Sequence, residues 1–140
     1  MRATLSFHCL DTIGQRFDNY FGNAIDKIKT LSDYRYSLVI ENSLEYISEK
    51  LVDAILAETV PIYVGPNLEL CGFPSGIAIT CKPEVSEIGA SIRSLLTDRS
   101  LADSVLLAGQ KFITSPEFAA MENTKVLSDL ARRISLKIHS

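Results

Sequence analysis

Apolar residues follow two different periods along the chain, and the change between them predicts alternating strands and helices. Residues 34–40 combine aromatic and β-branched side chains and predict a strand whose last three positions are apolar on both faces. Such a run is typical of a central strand covered by helices on each side. Nearer the amino terminus, residues 9–13 predict a short strand and residues 15–23 a loop. Three apolar residues recur at helical spacing and predict about two turns of helix, namely Ile25, Ile28 and Leu31.

A second helix and a second strand follow the polar break at residues 41–43. Ser48 is a candidate N-cap for a helix that extends to about Glu58. Residues 59–64 predict the next strand, with Pro61 near its start, where proline is tolerated. A strand, a helix and a strand within about 30 residues require a right-handed crossover between parallel strands.

The second half of the chain repeats this alternation. Residues 76–80 predict a strand, residues 84–96 a helix, and residues 101–112 another helix after the cap-like Ser100. Residues 123–138 carry apolar positions at helical spacing and predict a helical tail. Strands that alternate with helices indicate an α/β domain with a mostly parallel sheet, and 140 residues fit one such domain.

Composition excludes several classes of partner. Hydrophobic residues make up 46% of the chain and charged residues 22%, and the net charge of −3 offers no basic surface for nucleic acid or an anionic membrane. Three cysteines without paired spacing and two histidines near opposite ends favour neither a disulfide framework nor a metal site. Without an apolar run of roughly 18–20 residues or a signal peptide, we expect a cytoplasmic location.

Polar residues gather where the strand over residues 34–40 ends and the next helix begins. In a parallel sheet, ligands bind outside the carboxyl ends of the strands, where helix amino termini offer free N–H groups that attract phosphate. Lys50 opposes the helix dipole there at a cost of about 0.3–1 kcal/mol, and a bound phosphate would remove that conflict. The candidate ligand-binding residues are Glu41, Asn42, Ser43, Tyr46, Ser48, Glu49 and Lys50.

Each of these signals also has a simpler interpretation. Residues 48–50 can be the surface start of a helix with a solvated lysine, and charge alone does not separate this interpretation from a phosphate site. Glu41 and Asn42 can equally be strand-end turn residues whose side chains bond the nearby backbone.

Taken together, three segments resemble the signature of the α1,3/α1,4-fucosyltransferase family, glycosyltransferase family 10. The segments are YRYSLVIENS at residues 34–43, EYISEKL at residues 45–51 and VPIYVGP at residues 60–66. The resemblance is dense from about residue 11 to residue 80 and generic beyond. One departure is Glu58, which stands where the family commonly has glycine before the V-P strand.

The resemblance implies a Rossmann-like donor-binding domain, one half of a GT-B architecture, that holds GDP-fucose or a related nucleotide sugar and inverts the anomeric centre without a cofactor. It implies that Lys50 faces the diphosphate and that Glu49 bonds ribose or fucose hydroxyls. Asn42 and Tyr46 would line the same pocket. Electrostatic stabilisation of the departing diphosphate agrees with these roles.

The resemblance leaves the catalytic base unassigned. The family carries that carboxylate in an acceptor-binding domain before the signature, so no catalytic residue is identifiable in residues 1–140, and we expect the isolated chain to bind donor but transfer poorly. Expected partners are therefore a glycan acceptor and a missing N-terminal domain or partner subunit. Two alternatives remain: a non-catalytic nucleotide-sugar-binding or regulatory module, and the donor domain of another glycosyltransferase family.

Overall fold

The structure is a computed structural model that describes residues 26–138. The predicted strand over residues 9–13 and the loop over residues 15–23 lie outside the described residues. In chain order the main elements are α1 (Lys27–Leu31), β1 (Tyr36–Ile40), α2 (Glu49–Leu56), β2 (Val60–Val64), β3 (Ile79–Thr80), α3 (Val85–Thr97), α4 (Arg99–Ile113) and α5 (Pro116–Ile138). Two short 3-10 turns, Glu69–Cys71 and Ser75–Ile77, lie between β2 and β3.

The three strands form one parallel sheet in the order β1-β2-β3. The pairing of β1 with β2 runs from Tyr36 opposite Val60 to Ile40 opposite Val64, so the predicted strand–helix–strand crossover unit is confirmed as a parallel pair. Within the described residues, however, β2 rather than β1 is the central strand. All five residues of β2 are buried, whereas burial alternates along β1 and Ile40 is 39% exposed.

Two apolar clusters cover opposite faces of the sheet, as the predicted α/β architecture requires. Neighbouring positions in the β1–β2 register alternate between the clusters: Val39 and Tyr63 enter one, and Leu38 and Ile62 the other. The first cluster is completed mainly by α2 and the end of α4, through Leu51, Ala54, Ile55 and Phe112. The second is completed by α3 and the start of α4, through Leu95, Ala102 and Val105.

Local hydrogen bonds explain where the helices begin and end. The predicted N-cap is confirmed, because the Ser48 hydroxyl accepts a hydrogen bond from the backbone of α2. After α2, Glu58 has φ of 60°, in the left-handed region that glycine adopts without strain. This backbone conformation is a physical reason for glycine to be favoured at this position.

Three predicted boundaries in the second half are wrong. The strand expected over residues 76–80 is only two residues long, because a 3-10 turn occupies Ser75–Ile77. The cap of α4 is Asp98, which accepts from the N–H of Leu101 at 3.1 Å, and Ser100 donates to Asp98 instead of capping the helix itself. Helix α5 begins at Pro116 rather than at residue 123, since proline is well suited to a first helical turn.

None of the helices within residues 26–138 combines the length and the apolar character that a membrane crossing requires.

The packing of α2 against the sheet gives a first prediction. Leu51 is fully buried in the first cluster, so Leu51→Ala removes apolar contacts and leaves a cavity. We expect a loss of about 2–5 kcal/mol in the free energy of unfolding, measured by urea denaturation. Leu44→Ala is the control, because Leu44 is 88% exposed, and it should change stability by less than about 0.5 kcal/mol. Equal effects of the two substitutions would contradict this packing.

Candidate functional site

The carboxyl ends of the three parallel strands lie along one edge of the sheet. The chain leaves β1 at Glu41 and β2 at Gly65, and the loop between β1 and α2 leads to the amino terminus of α2. The N–H of Glu41 donates to the carbonyl of Val64 at 2.9 Å, which holds the two strand ends together. This edge is where parallel sheets bind ligands.

The side chain of Glu41 is buried at this edge and fixes the start of α2. Only 2% of it is exposed. Its Oε1 atom accepts two hydrogen bonds from Ser48, from the backbone N–H at 3.1 Å and from the hydroxyl at 3.0 Å. A carboxylate placed against a helix amino terminus also interacts favourably with the helix dipole.

The side chain of Lys50 extends back to the end of β1, beside Glu41. Its ammonium Nζ donates to the carbonyl of Ile40 at 3.0 Å and lies 3.9 Å from Oε2 of Glu41, while 40% of its side chain is exposed. The anion that would offset a lysine in the first turn is therefore part of the chain itself. The position of Lys50 does not by itself require a bound phosphate, and the prediction that it faces a diphosphate stays a prediction.

The remaining loop residues lie near this cluster without joining its hydrogen bonds. The Ser43 hydroxyl accepts from the N–H of Glu45 at 3.0 Å, which stabilises the turn after β1. Asn42 is exposed, and Tyr46 is 63% exposed. The structure thus brings together Glu41, Ser48 and Lys50, and presents Asn42 and Tyr46 to solvent from the same loop.

Glu49 faces the other side of the helix start. Its carboxylate lies 3.7 Å from the ammonium of Lys27 on α1, and both side chains are more than half exposed, so this ion pair contributes little to stability. A hydrogen bond from its own backbone N–H, followed by the charges of Lys27 and Lys125, holds the pKa of Glu49 below its usual value. Glu49 is therefore ionised at neutral pH, and both of its carboxylate oxygen atoms can accept hydrogen bonds.

An open cleft of ≈ 380 Å³ lies at the carboxyl ends of β2 and β3, and the sequence analysis did not identify it. Gly65 in its wall is next to Glu41, because a Cβ built on Gly65 would come within 2.9 Å of the Glu41 Cγ atom. Ligands bind outside the carboxyl ends of parallel strands, and this holds for β2 as well as for β1. The turn at Gly65–Pro66, which ends β2, could therefore have indicated the cleft from the sequence. The lining residues are Tyr63, Gly65, Pro66, Asn67, Leu68, Glu69, Ser75, Thr80 and Cys81.

The described residues favour neither a reactive cysteine nor a metal site. Cys71 and Cys81 are both free and partly buried, and burial raises the pKa of the Cys81 thiol. Residues 26–138 contain no group of three or more His, Cys, Asp or Glu side chains placed to hold a metal ion.

The close approach at Gly65 gives a second prediction. Gly65→Ala would place a Cβ atom 2.5 Å from the Tyr63 hydroxyl and 2.9 Å from the Glu41 Cγ atom, so both side chains or the backbone at residue 65 must move. We expect a loss of about 1–3 kcal/mol in stability from this overpacking, measured by thermal unfolding. Gly76→Ala is the control, because its nearest contact would be an ordinary 3.8 Å. Unfolding of Gly65→Ala at the wild-type temperature would refute the close packing.

Tyr63 gives a third prediction, on alkaline stability. Burial, followed by the nearby charge of Glu41, raises the pKa of Tyr63 to about 12, and its hydroxyl donates to the carbonyl of Pro66 at 2.9 Å. Between pH 10 and pH 12 the unfolded chain ionises this phenol while the folded chain keeps it neutral, so the unfolded state gains stability as pH rises. We expect urea denaturation to show a loss of about 2 kcal/mol across that window. Tyr63→Phe should remove this component; an unchanged pH profile would contradict it.

Comparisons with known proteins agree on one family. Residues 4–74 match the family model described as glycosyltransferase family 10 (fucosyltransferase), C-terminal part. A 4-galactosyl-N-acetylglucosaminide 3-alpha-L-fucosyltransferase 9 from Cricetulus griseus is 42% identical over 62 residues, and the human protein of the same name is equally similar. A fucosyltransferase-like protein of Arabidopsis thaliana is 38% identical over 63 residues.

These matches cover 43% of this chain but only 17% of the Cricetulus griseus protein and 12% of the Arabidopsis protein. Among solved structures, the crystal structure of an alpha1,3-fucosyltransferase with GDP aligns with a TM-score of 0.53 and 27% identity, over 61% of this chain and 26% of that one. The family model matches half of the chain, and the parallel sheet with helices on both faces agrees with it. The chain belongs to glycosyltransferase family 10, the fucosyltransferases.

Proposed function

We propose that this chain forms the donor-binding part of an inverting fucosyltransferase that transfers fucose from GDP-fucose to a glycan acceptor. The observation that carries the proposal is the match of residues 4–74 to the family's C-terminal part, together with the likeness to a fucosyltransferase structure that contains GDP. The chemistry of the sheet edge supports the same ligand.

The diphosphate would lie at the amino terminus of α2. Lys50 keeps 40% of its side chain exposed there and has three N–H donors, one of which bonds Ile40. A cation fixed at this point would stabilise the negative charge that develops on GDP as the bond to fucose breaks. Ser48 caps the helix beside it and would keep Lys50 in place.

The hydroxyl groups of the donor would be bound from the exposed side of the same turn. Glu49 is ionised and more than half exposed, so its two oxygen atoms can accept from neighbouring hydroxyls of ribose or fucose. Asn42, Ser43 and Tyr46 would contribute further polar contacts from the loop after β1.

The donor-binding residues do not include a suitable base for the acceptor hydroxyl. The Glu41 carboxylate is buried and bonded to Ser48, and Glu49 is paired with Lys27. A general base must lie within hydrogen-bond reach of the proton that it removes. We therefore assign acceptor activation to a different part of the enzyme from this sheet edge.

A calorimetric titration with GDP tests the donor site. We expect the 140-residue chain to bind GDP more tightly than UDP or CDP, and Lys50→Met to weaken the affinity at least about tenfold, since a hydrogen bond from a charged group is lost. The matched control is Lys111→Met, which removes the same charge from an exposed position on α4. Absence of GDP binding up to millimolar concentration would refute the donor-site proposal, and an equal loss in both variants would refute the role of Lys50.

A further inference from the structure

Glu41 is the most deeply buried charge at the candidate site, and the proposed donor contacts do not use it directly. Its side chain is 2% exposed, whereas that of Lys50 is 40% exposed. Two hydrogen bonds from Ser48 hold the carboxylate in place, and Gly65 leaves room for it on the other side. The carboxylate is therefore fixed, while the ammonium beside it can reach solvent.

We propose that Glu41 is the resting partner of Lys50, and that the Lys50 ammonium turns from this buried carboxylate to the diphosphate when the donor binds. Glu41 acts through Lys50 and is therefore a positioning residue. This inference rests on the proposed donor function of the same edge.

The contacts of Lys50 fit such an exchange. The bond to the Ile40 carbonyl is short, at 3.0 Å, and anchors the ammonium to the end of β1. The distance to Glu41 Oε2 is 3.9 Å, too long for a hydrogen bond, so this contact is an ion pair that a small rotation can weaken. The remaining N–H donors are free to turn toward an anion without breaking the anchor.

The exchange makes Glu41 a competitor of the ligand. A fixed negative charge 3.9 Å from Lys50 lowers the attraction that the ammonium exerts on a polyanion. Replacing Glu41 by glutamine keeps an oxygen that can accept both hydrogen bonds from Ser48 but removes the charge. Glu41→Gln should therefore bind diphosphate more tightly, and the gain should be larger when Lys50 is present.

Titrations with inorganic pyrophosphate and with GDP test this inference on the 140-residue chain. We expect Glu41→Gln to bind pyrophosphate at least about threefold more tightly at low ionic strength, with a smaller gain in high salt. In a Lys50→Met background the gain should be clearly smaller, because only the direct repulsion between Glu41 and the anion is then removed. Glu45→Gln is the matched control, because it removes one exposed carboxylate from the same loop and should change affinity by less than twofold.

An unchanged or weaker affinity of Glu41→Gln for pyrophosphate, or an equal gain in Glu45→Gln, would overturn the exchange and leave the donor function intact. If the wild-type chain binds neither pyrophosphate nor GDP, the proposed function and the exchange both fail.

Thermal unfolding without ligand provides a second readout of the resting pair. Lys50→Met leaves the buried Glu41 carboxylate without its counter-ion, so we expect the Tm to fall by roughly 3–6 °C. The double variant Glu41→Gln, Lys50→Met should recover most of this loss, because no buried charge then remains. Failure of this rescue would show that Glu41 and Lys50 are not paired in the resting protein.

Discussion

The contact between Glu41 and Ser48 is the interaction on which the candidate site depends. It joins the residue that follows β1 to the residue that caps α2, and so fixes where the helix begins relative to the edge of the sheet. The Glu41 side chain is only 2% exposed, and its carboxylate would destabilise the folded chain if it had no hydrogen-bond or ionic partner. Two hydrogen bonds from Ser48 and the ammonium of Lys50 supply those partners. The same geometry places Lys50 at the surface with its charge only partly offset.

This arrangement explains how one short segment can hold two charged side chains at the edge of the sheet and remain stable. A lysine in the first turn of a helix is unfavourable in isolation, and a buried glutamate is unfavourable in isolation. In the folded chain the charges of Lys50 and Glu41 offset each other, so folding itself brings both side chains into place. Under the proposed function, an arriving donor meets a cation that folding has already brought to the edge of the sheet, where it can stabilise a charged leaving group.

The second strand has a different role, because it positions the walls beside that cation. β2 is buried along its whole length and lies between β1 and β3 in the sheet. Gly65 then passes so close to Tyr63 and Glu41 that even one added carbon would collide. The cleft beyond Gly65 and the buried carboxylate therefore share one wall, and a change in either affects the other.

Local sequence patterns by themselves determined the parallel strand–helix–strand unit, the cap at Ser48 and the helices on both faces, because these depend on apolar periodicity and on the capping preference of serine. The three motif segments, read as a resemblance, pointed to the family. Local patterns did not predict the start of α5 or of β3 correctly. Seven residues before the predicted tail helix are also helical, and residues 76 and 77 of the predicted strand belong to a 3-10 turn.

Tertiary structure alone decided which strand is central, that the cleft lies at the end of β2, and that Lys50 is paired within the chain. Lys50 in a first turn led the sequence analysis to expect a bound phosphate, and sequence spacing could not show that Glu41 folds back to supply a negative charge from within the chain. Periodicity reports which face of an element is apolar, whereas the partner of a charge depends on distances between segments that only the folded chain brings together.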